Sequence, residues 1–146
     1  DRFLNGSYYE NLKEIHSLIE STAVEIYSDA SIGCSGDETE NINRNIFLLS
    51  DKELSYGYGI EGKALRYFRN PDNRLSYLDG TPMGWLLRTP VTSYLSAVCE
   101  VSFDGKLSLG NSFGKHGIRP AFCVDSLAKI KKKAGIIEGK EVFVLE

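Results

Sequence analysis

Residues able to do chemistry are few and widely spread. The 146-residue chain holds three cysteines and two histidines. Cys34, Cys99 and Cys123 are odd in number, and their spacing matches no zinc pattern. Cys99 and Cys123 stand in apolar, strand-like runs and read as small buried hydrophobes, with a disulfide between them as the alternative. His16 reads as a surface or capping residue. Asp37, Glu38 and Glu40 supply oxygens of the kind calcium takes, but not at the spacing of a DxDxDG loop. Gly57 and Gly59 follow a helical pattern rather than a strand, so they form no phosphate cradle. No nucleophile–base pair or metal constellation emerges, and the chain is expected to use no metal and no cofactor.

The most distinctive residues lie in two separated segments, Trp85-Leu86-Leu87-Arg88-Thr89-Pro90 and Gly117-Ile118-Arg119-Pro120-Ala121-Phe122. Arg88 and Arg119 read as interior. A buried guanidinium must be paired and hydrogen-bonded, and its fork of donors suits the backbone carbonyls of irregular loops. Trp85 reads as a core anchor whose indole N–H reaches a loop carbonyl; stacking on a sugar is the alternative. With Pro90 and Pro120, these residues form two Arg-Pro corners of a scaffold. The loops at 91–94 and 110–116 flank the hairpin between the corners. Tyr94, Asn111, Ser112, Lys115 and His116 offer there an aromatic face and adaptable polar groups, a combination suited to ligand contact. The plainer reading is that they are ordinary loop residues.

These segments need a core to position them, and 146 residues suffice for one domain without disulfide support. A net charge of -3 gives no electrostatic reason to expect nucleic acid. The one basic cluster, Lys129 with Lys131, Lys132 and Lys133, reads as a solvated helix face. No apolar run approaches the roughly 18 residues that span a bilayer. The chain opens at Asp1 without a Met and reads as a fragment, which leaves open whether a signal or anchor lies upstream.

Leu12, Ile15, Leu18 and Ile19 make one apolar face, predicting a helix over about 8–20, after which the β-branched run from Thr22 extends. The polar stretch 28–45 is expected to be a long loop. Ile46 to Leu49 reads as a short strand, and Ser50-x-x-Glu53 as a capping box opening a short helix. Residues 61–69 read as another short helix with Ala64, Leu65 and Phe68 inward. From Tyr94 the period is two, placing Leu95, Ala97, Cys99, Val101 and Phe103 on one side. Asp104-Gly105 turns the hairpin. A third strand, 118–124, is interrupted at Pro120. A helix from Leu127 to about Lys133, a turn at Glu138-Gly139-Lys140 and a strand from Val142 to Leu145 close the chain.

The ordered segments Phe3-Leu4-Asn5-Gly6 with Tyr8-Tyr9, Ile46-Phe47-Leu48-Leu49-Ser50 with Glu53, Trp85–Pro90, Val101–Gly105 and Gly117–Phe122 resemble an uncharacterised bacterial and phage domain family. Its members read roughly FLNxxFY, FLLSxxE, WWLRSP, V…DG and GVRPA. The likeness covers about residues 1–124, with Leu86 for the second Trp, Thr89 for Ser and Ile118 for Val. It leaves 125–146 as a C-terminal helix and strand extension, and implies that strands upstream of the FLN segment are missing. The pattern is in turn similar to the C-type-lectin-like fold of formylglycine-generating enzymes and retroelement-diversified phage receptors. That similarity implies an α+β domain of small twisted antiparallel sheets, a few short helices and long loops. It implies a non-catalytic binding or adhesion module for a glycan or protein, at an extracytoplasmic or cell-surface location. One alternative is a structural domain of a larger surface protein with no ligand of its own. Another is an oxidase related to the formylglycine-generating enzymes, which would need the Cys99 and Cys123 sulfurs close together.

Overall fold

A computed structural model describes residues 1–29, 37–137 and 140–145. The fold is mixed α+β, with many small sheets and only short helical turns. Its strands are β1 (Ile19–Glu20), β2 (Thr22–Tyr27), β3 (Thr39–Arg44), β4 (Phe47–Leu48), β5 (Tyr77–Leu78), β6 (Thr81–Pro82), β7 (Trp85–Pro90), β8 (Ala97–Val101), β9 (Leu107–Asn111), β10 (Gly117–Ile118), β11 (Pro120–Ala121), β12 (Cys123–Val124), β13 (Ile130–Ile137) and β14 (Lys140–Leu145).

The central element is β7. Its side chains alternate, with Trp85, Leu87 and Thr89 buried and Leu86, Arg88 and Pro90 half-buried, as a strand between two environments requires. The largest sheet runs β10-β7-β8-β9, and the other described pairs are two-stranded. Trp85 and Leu86 pair with Val101 and Glu100, and the register then slips before Pro90 meets Val98. Within that slip β7 turns to another partner: Arg88 N–H donates to the Leu49 carbonyl at 2.9 Å. The slip thus ties the sheet to the chain around residues 49–51.

The segment 117–124 stitches the domain together. Where one interrupted strand is expected, three two-residue strands each join a different partner. β10 lies parallel to β7, β11 antiparallel to β4, and β12 antiparallel to β1. Pro120 opens β11, a position that tolerates its missing N–H. The core has two parts. Leu49, Leu54, Phe68, Trp85, Leu87, Val91, Cys99 and Val101 form the larger. Leu4, Ile19 and Ile46 form the smaller, with Tyr8, Ile15, Leu48 and Phe122 packed against it. Asn5 clasps the second part: its amide donates to Ile46 O at 2.8 Å, and its oxygen accepts from Asn45 and Ile46 N–H at 3.1 and 3.0 Å.

Several expectations need correction. The predicted 8–20 helix is a chain of tight and wide turns over Leu4–Leu18, mostly not α-helical. The polar stretch 28–45 is not all loop, because Thr39–Arg44 pairs along the whole of β2. Ser50 and Glu53 do make the reciprocal capping bonds, at 3.1 and 2.9 Å, but they close one turn rather than a helix. In 61–69 only Arg66–Arg69 is helical, and of the three residues expected inward Phe68 alone is buried. Leu95 and Phe103 face solvent, since β8 covers only Ala97–Val101. The segment expected as helix from Leu127 to Lys133 instead enters β13, which pairs with β14; cross-strand pairing overrides local helix propensity there. The turn expected at Glu138-Gly139 and the residue Cys34 lie outside the described residues.

Candidate functional site

Two sets of residues gather around β7 and its neighbours. The first is a buried polar node beside the 49–62 segment. Arg88 donates from Nε to the Glu25 carbonyl at 3.0 Å and from Nη1 to the Leu48 carbonyl at 2.8 Å. It also forks onto the Glu53 carboxylate, at 2.6 and 2.9 Å. That carboxylate, in turn, accepts the Ser50 N–H. One guanidinium therefore joins β2, β4, the capping turn and β7. Gly62 allows this closeness. Its φ is +85°, and a Cβ there would stand 3.0 Å from Arg88 Nη2 and 2.9 Å from Ser50 Oγ, so both conformation and space favour glycine.

Deeper in this node, Ser50, Asp51, Glu61 and Thr89 are fully buried. Asp51 accepts backbone N–H bonds from Tyr58 and Gly59 at 2.5 and 2.9 Å. Thr89 Oγ1 lies 2.5 Å from Glu61 Oε1. Burial raises the Glu61 pKa above its ordinary value. Cys99, also fully buried, has its thiol pushed up to about 12, first by burial and then by Asp51 and Glu61. Such a thiol stays protonated and is a poor nucleophile at neutral pH. Cys99 and Cys123 are both free, in β8 and β12 of separate sheets. On the outer side of the node, a cleft of about 580 Å³ is lined by Glu25, Glu53, Lys63, Arg88, Phe122 and Cys123 among others. The Glu25 carboxyl there is held below its ordinary pKa by the Gly62 N–H and then the Thr39 hydroxyl.

Trp85 and Arg119 build the other face of the core. The Trp85 indole donates to the Arg74 carbonyl at 2.9 Å. Arg119 donates to Asn73 O at 2.9 Å and lies over the rings of Trp85 and Phe68, at 5.2 and 5.3 Å. Arg74 stacks on Tyr56 at 4.4 Å, and the Tyr56 hydroxyl donates to the Gly105 carbonyl.

The second set is the open end of the β8–β9 hairpin. Ala97 pairs with Asn111, and beyond that pair Ser112 N–H and Oγ both donate to Ser96 O, at 2.9 and 3.1 Å. These bonds bring the chain on either side of the hairpin together. They leave Tyr94 67%, Leu95 77% and Phe113 85% exposed at this end. Asn111 Oδ1 accepts Phe113 N–H at 2.9 Å, shaping the turn that presents the phenyl ring. His116 lies with Nε2 2.8 Å from Asn111 O and Nδ1 3.0 Å from Glu100 Oε2. A groove of about 370 Å³ adjoins it, lined by Met83, Glu100, Ser102, Phe103, Lys115 and His116 among others. Asn111, Ser112, Lys115 and His116 are thus one loop cluster, with Tyr94 joined to it through the Ser96–Ser112 bonds.

Sequence reasoning missed Asp51, Glu61 and Thr89 as buried polar residues, and Leu95 and Phe113 as surface ones. The dense glycines of Tyr56-Gly57-Tyr58-Gly59-Ile60-Glu61-Gly62 are the available signal for the first group, since backbone must pass close to something there. Among the described residues no group of three or more His, Cys, Asp or Glu side chains is placed to hold a metal ion. No described helix is long and apolar enough to cross a membrane.

Comparison with known proteins finds no curated protein and no solved structure that matches. A family model does match, over residues 1–126, spanning the Asn5 clasp, the Arg88 node, the Trp85–Arg119 face and the hairpin. The chain therefore belongs to the family described as a domain of unknown function, DUF6273.

Proposed function

We propose that this domain is a non-catalytic binding or adhesion module of C-type-lectin-like architecture, carried by a bacterial surface or phage-related protein. Its contact surface is the open end of the β8–β9 hairpin. One observation carries the reading: three large apolar side chains, Tyr94, Leu95 and Phe113, are each about two-thirds or more exposed at one hairpin end. A patch of this kind, rimmed by Asn111, Ser112, Lys115 and His116, is what an interaction site presents. Leu95 and Phe113 add aliphatic and phenyl area that favours a protein ligand over a sugar. The motif arginines are already engaged with scaffold carbonyls and Glu53, which supports a division between scaffold and contact surface.

The test is binding of the wild-type chain to protein and glycan arrays beside a Tyr94→Ala/Phe113→Ala variant. The expected result is protein hits that the variant loses while keeping its melting temperature. Glycan hits lost in the same way would replace the protein ligand with a sugar. Hits that survive the double substitution, or no hits of either class, would overturn the assignment of this surface.

A further inference from the structure

Protons are scarce in the buried node around Thr89, and their positions can be counted. The Thr89 oxygen accepts the Asp51 N–H at 3.0 Å. It also lies 3.3 Å from Asp51 Oδ1 and 2.5 Å from Glu61 Oε1. A hydroxyl carries one proton and two lone pairs. It can donate to one carboxylate but not to both. With both carboxyls ionised, one of these contacts would set lone pair against lone pair in a fully buried site. A second proton resolves the count, because the oxygen then accepts from the Asp51 N–H and from a carboxylic acid while donating to the remaining carboxylate.

The surroundings decide which carboxyl holds that proton. Asp51 Oδ2 accepts two backbone N–H bonds, from Tyr58 and Gly59, which favour its ionised form. Glu61 Oε2 is buried and has no hydrogen-bond partner among the described residues, and an anion left so would be costly. No substituent fits beside it: a Cβ on Gly59 would lie 2.6 Å from both Glu61 Oε2 and Asp51 Oδ1. We propose that Glu61 is a neutral carboxylic acid in the folded protein, bonded through the Thr89 hydroxyl to an ionised Asp51, and that this proton is a pH-sensitive latch holding the 50–62 segment on β7.

The other titratable groups around the latch are consistent with it. From β2 come the Tyr27 hydroxyl, which accepts the Ile60 N–H, and Glu25, which accepts the Gly62 N–H. From β7 comes Arg88, whose charge is shared with Glu53. From β8 comes the Cys99 thiol, held protonated. Burial is the largest influence on Glu61 and raises its pKa; the Thr89 hydrogen bond, the Glu61 backbone N–H and Arg88 oppose it, in that order, and Asp51 adds to it. An acid whose folded pKa is raised stabilises the fold fully below its ordinary value of 4.5. That contribution is lost as pH climbs through the raised folded value.

The experiment is guanidinium unfolding of the whole chain from about pH 4 to about pH 8, for wild type and Glu61→Gln. The amide introduced by this substitution can donate to Thr89 in place of the acid without carrying a charge. The wild-type midpoint is expected to fall as pH rises above 4.5, and the Glu61→Gln midpoint to lack that component. Every other titratable group is present in both proteins, so the difference curve isolates Glu61. Parallel curves would overturn the proposal. Should Glu61→Gln fail to fold, ¹³C-carboxyl titration of the wild type decides. One glutamate carboxyl must remain protonated above 4.5; ordinary titration of every glutamate would refute the latch.

Discussion

Replacing Arg88 by alanine should destabilise the domain by about 3–5 kcal/mol, the usual cost of removing one partner of a buried ion pair. The structure accounts for that size. The Arg88 and Glu53 side chains keep only 9% and 13% of their exposure, so solvent cannot readily take over the abandoned carboxylate. The carbonyls of Glu25 and Leu48 lose a donor as well, each a cost of about 1–3 kcal/mol if left unmade. These costs overlap, because water entering the vacated space would serve more than one of them, and a simple sum overstates the loss. For a chain of this size the melting temperature should fall by roughly 10 °C or more. The assay is guanidinium unfolding at fixed pH, with the midpoint shifting and the slope held. Adding Glu53→Gln to Arg88→Ala should recover about 1 kcal/mol or more, since the orphaned charge disappears while the side chain can still accept the Ser50 N–H. A loss below about 1 kcal/mol for Arg88→Ala, the range of an exposed salt bridge, would refute the reasoning.

Other outcomes follow from the same node and from the hairpin. Gly59→Ala should cost about 1–3 kcal/mol through overpacking, because its Cβ would press on Asp51, Glu61 and Thr89; differential scanning calorimetry reads the loss. In a Cys34→Ser background, Cys123 should react with a thiol reagent in the native state, while Cys99, fully buried with its pKa near 12, should react only on unfolding; rapid native labelling of Cys99 would contradict its placement. The Asp104 carboxyl is held at about 2, mainly by hydrogen bonds from Lys106 and then Ser102. Its contribution to the hairpin turn is therefore present above 3.8, the ordinary value, and is lost as pH falls through about 2. Removing the partner with Lys106→Ala should bring the Asp104 carboxyl back toward 3.8 in a ¹³C titration.

The parts of the fold legible in the sequence are those whose pattern is local. The β-branched run of Thr22–Tyr27 marks a strand, whereas β7 alternates in burial but not in residue type, since Trp85, Leu86 and Leu87 are all apolar, and its strand is seen only in the structure. Asp104-Gly105 reads as a turn from its own two residues, and Gly105 has φ +79°. Asp79-Gly80 gives the same signal between β5 and β6, with φ +50° and +76°, and is easily lost among the polar residues around it. Thr39–Arg44 carries no apolar alternation, so only its partner β2 makes it a strand. The Lys-rich stretch before Gly135 satisfies helix propensity on its own, and a partner ten or so residues later in the chain reverses the outcome.

At the candidate sites the division is similar. Ser50-x-x-Glu53 is a local box and can be read. That Glu53 also receives Arg88, 35 residues away, cannot be read from spacing. The burial of Glu61 is less legible still. It depends on Thr89, 28 residues distant, and a glutamate between glycines looks like a loop residue until that hydroxyl is placed against it. Leu95 and Phe103 fail in the opposite direction. Their alternation continues the strand pattern past the point where backbone pairing stops, so side chains expected in the core stand in solvent.

The central claim is that the motif residues build the scaffold while the open hairpin end meets the partner. Backbone NMR shift mapping, with a ligand taken from the arrays, tests it most directly. Perturbations should concentrate at residues 94–97 and 111–117, with Arg88, Glu53 and Lys63 little moved. The largest shifts in the Arg88 cleft, around Lys63 and Cys123, would contradict it and assign binding to the node.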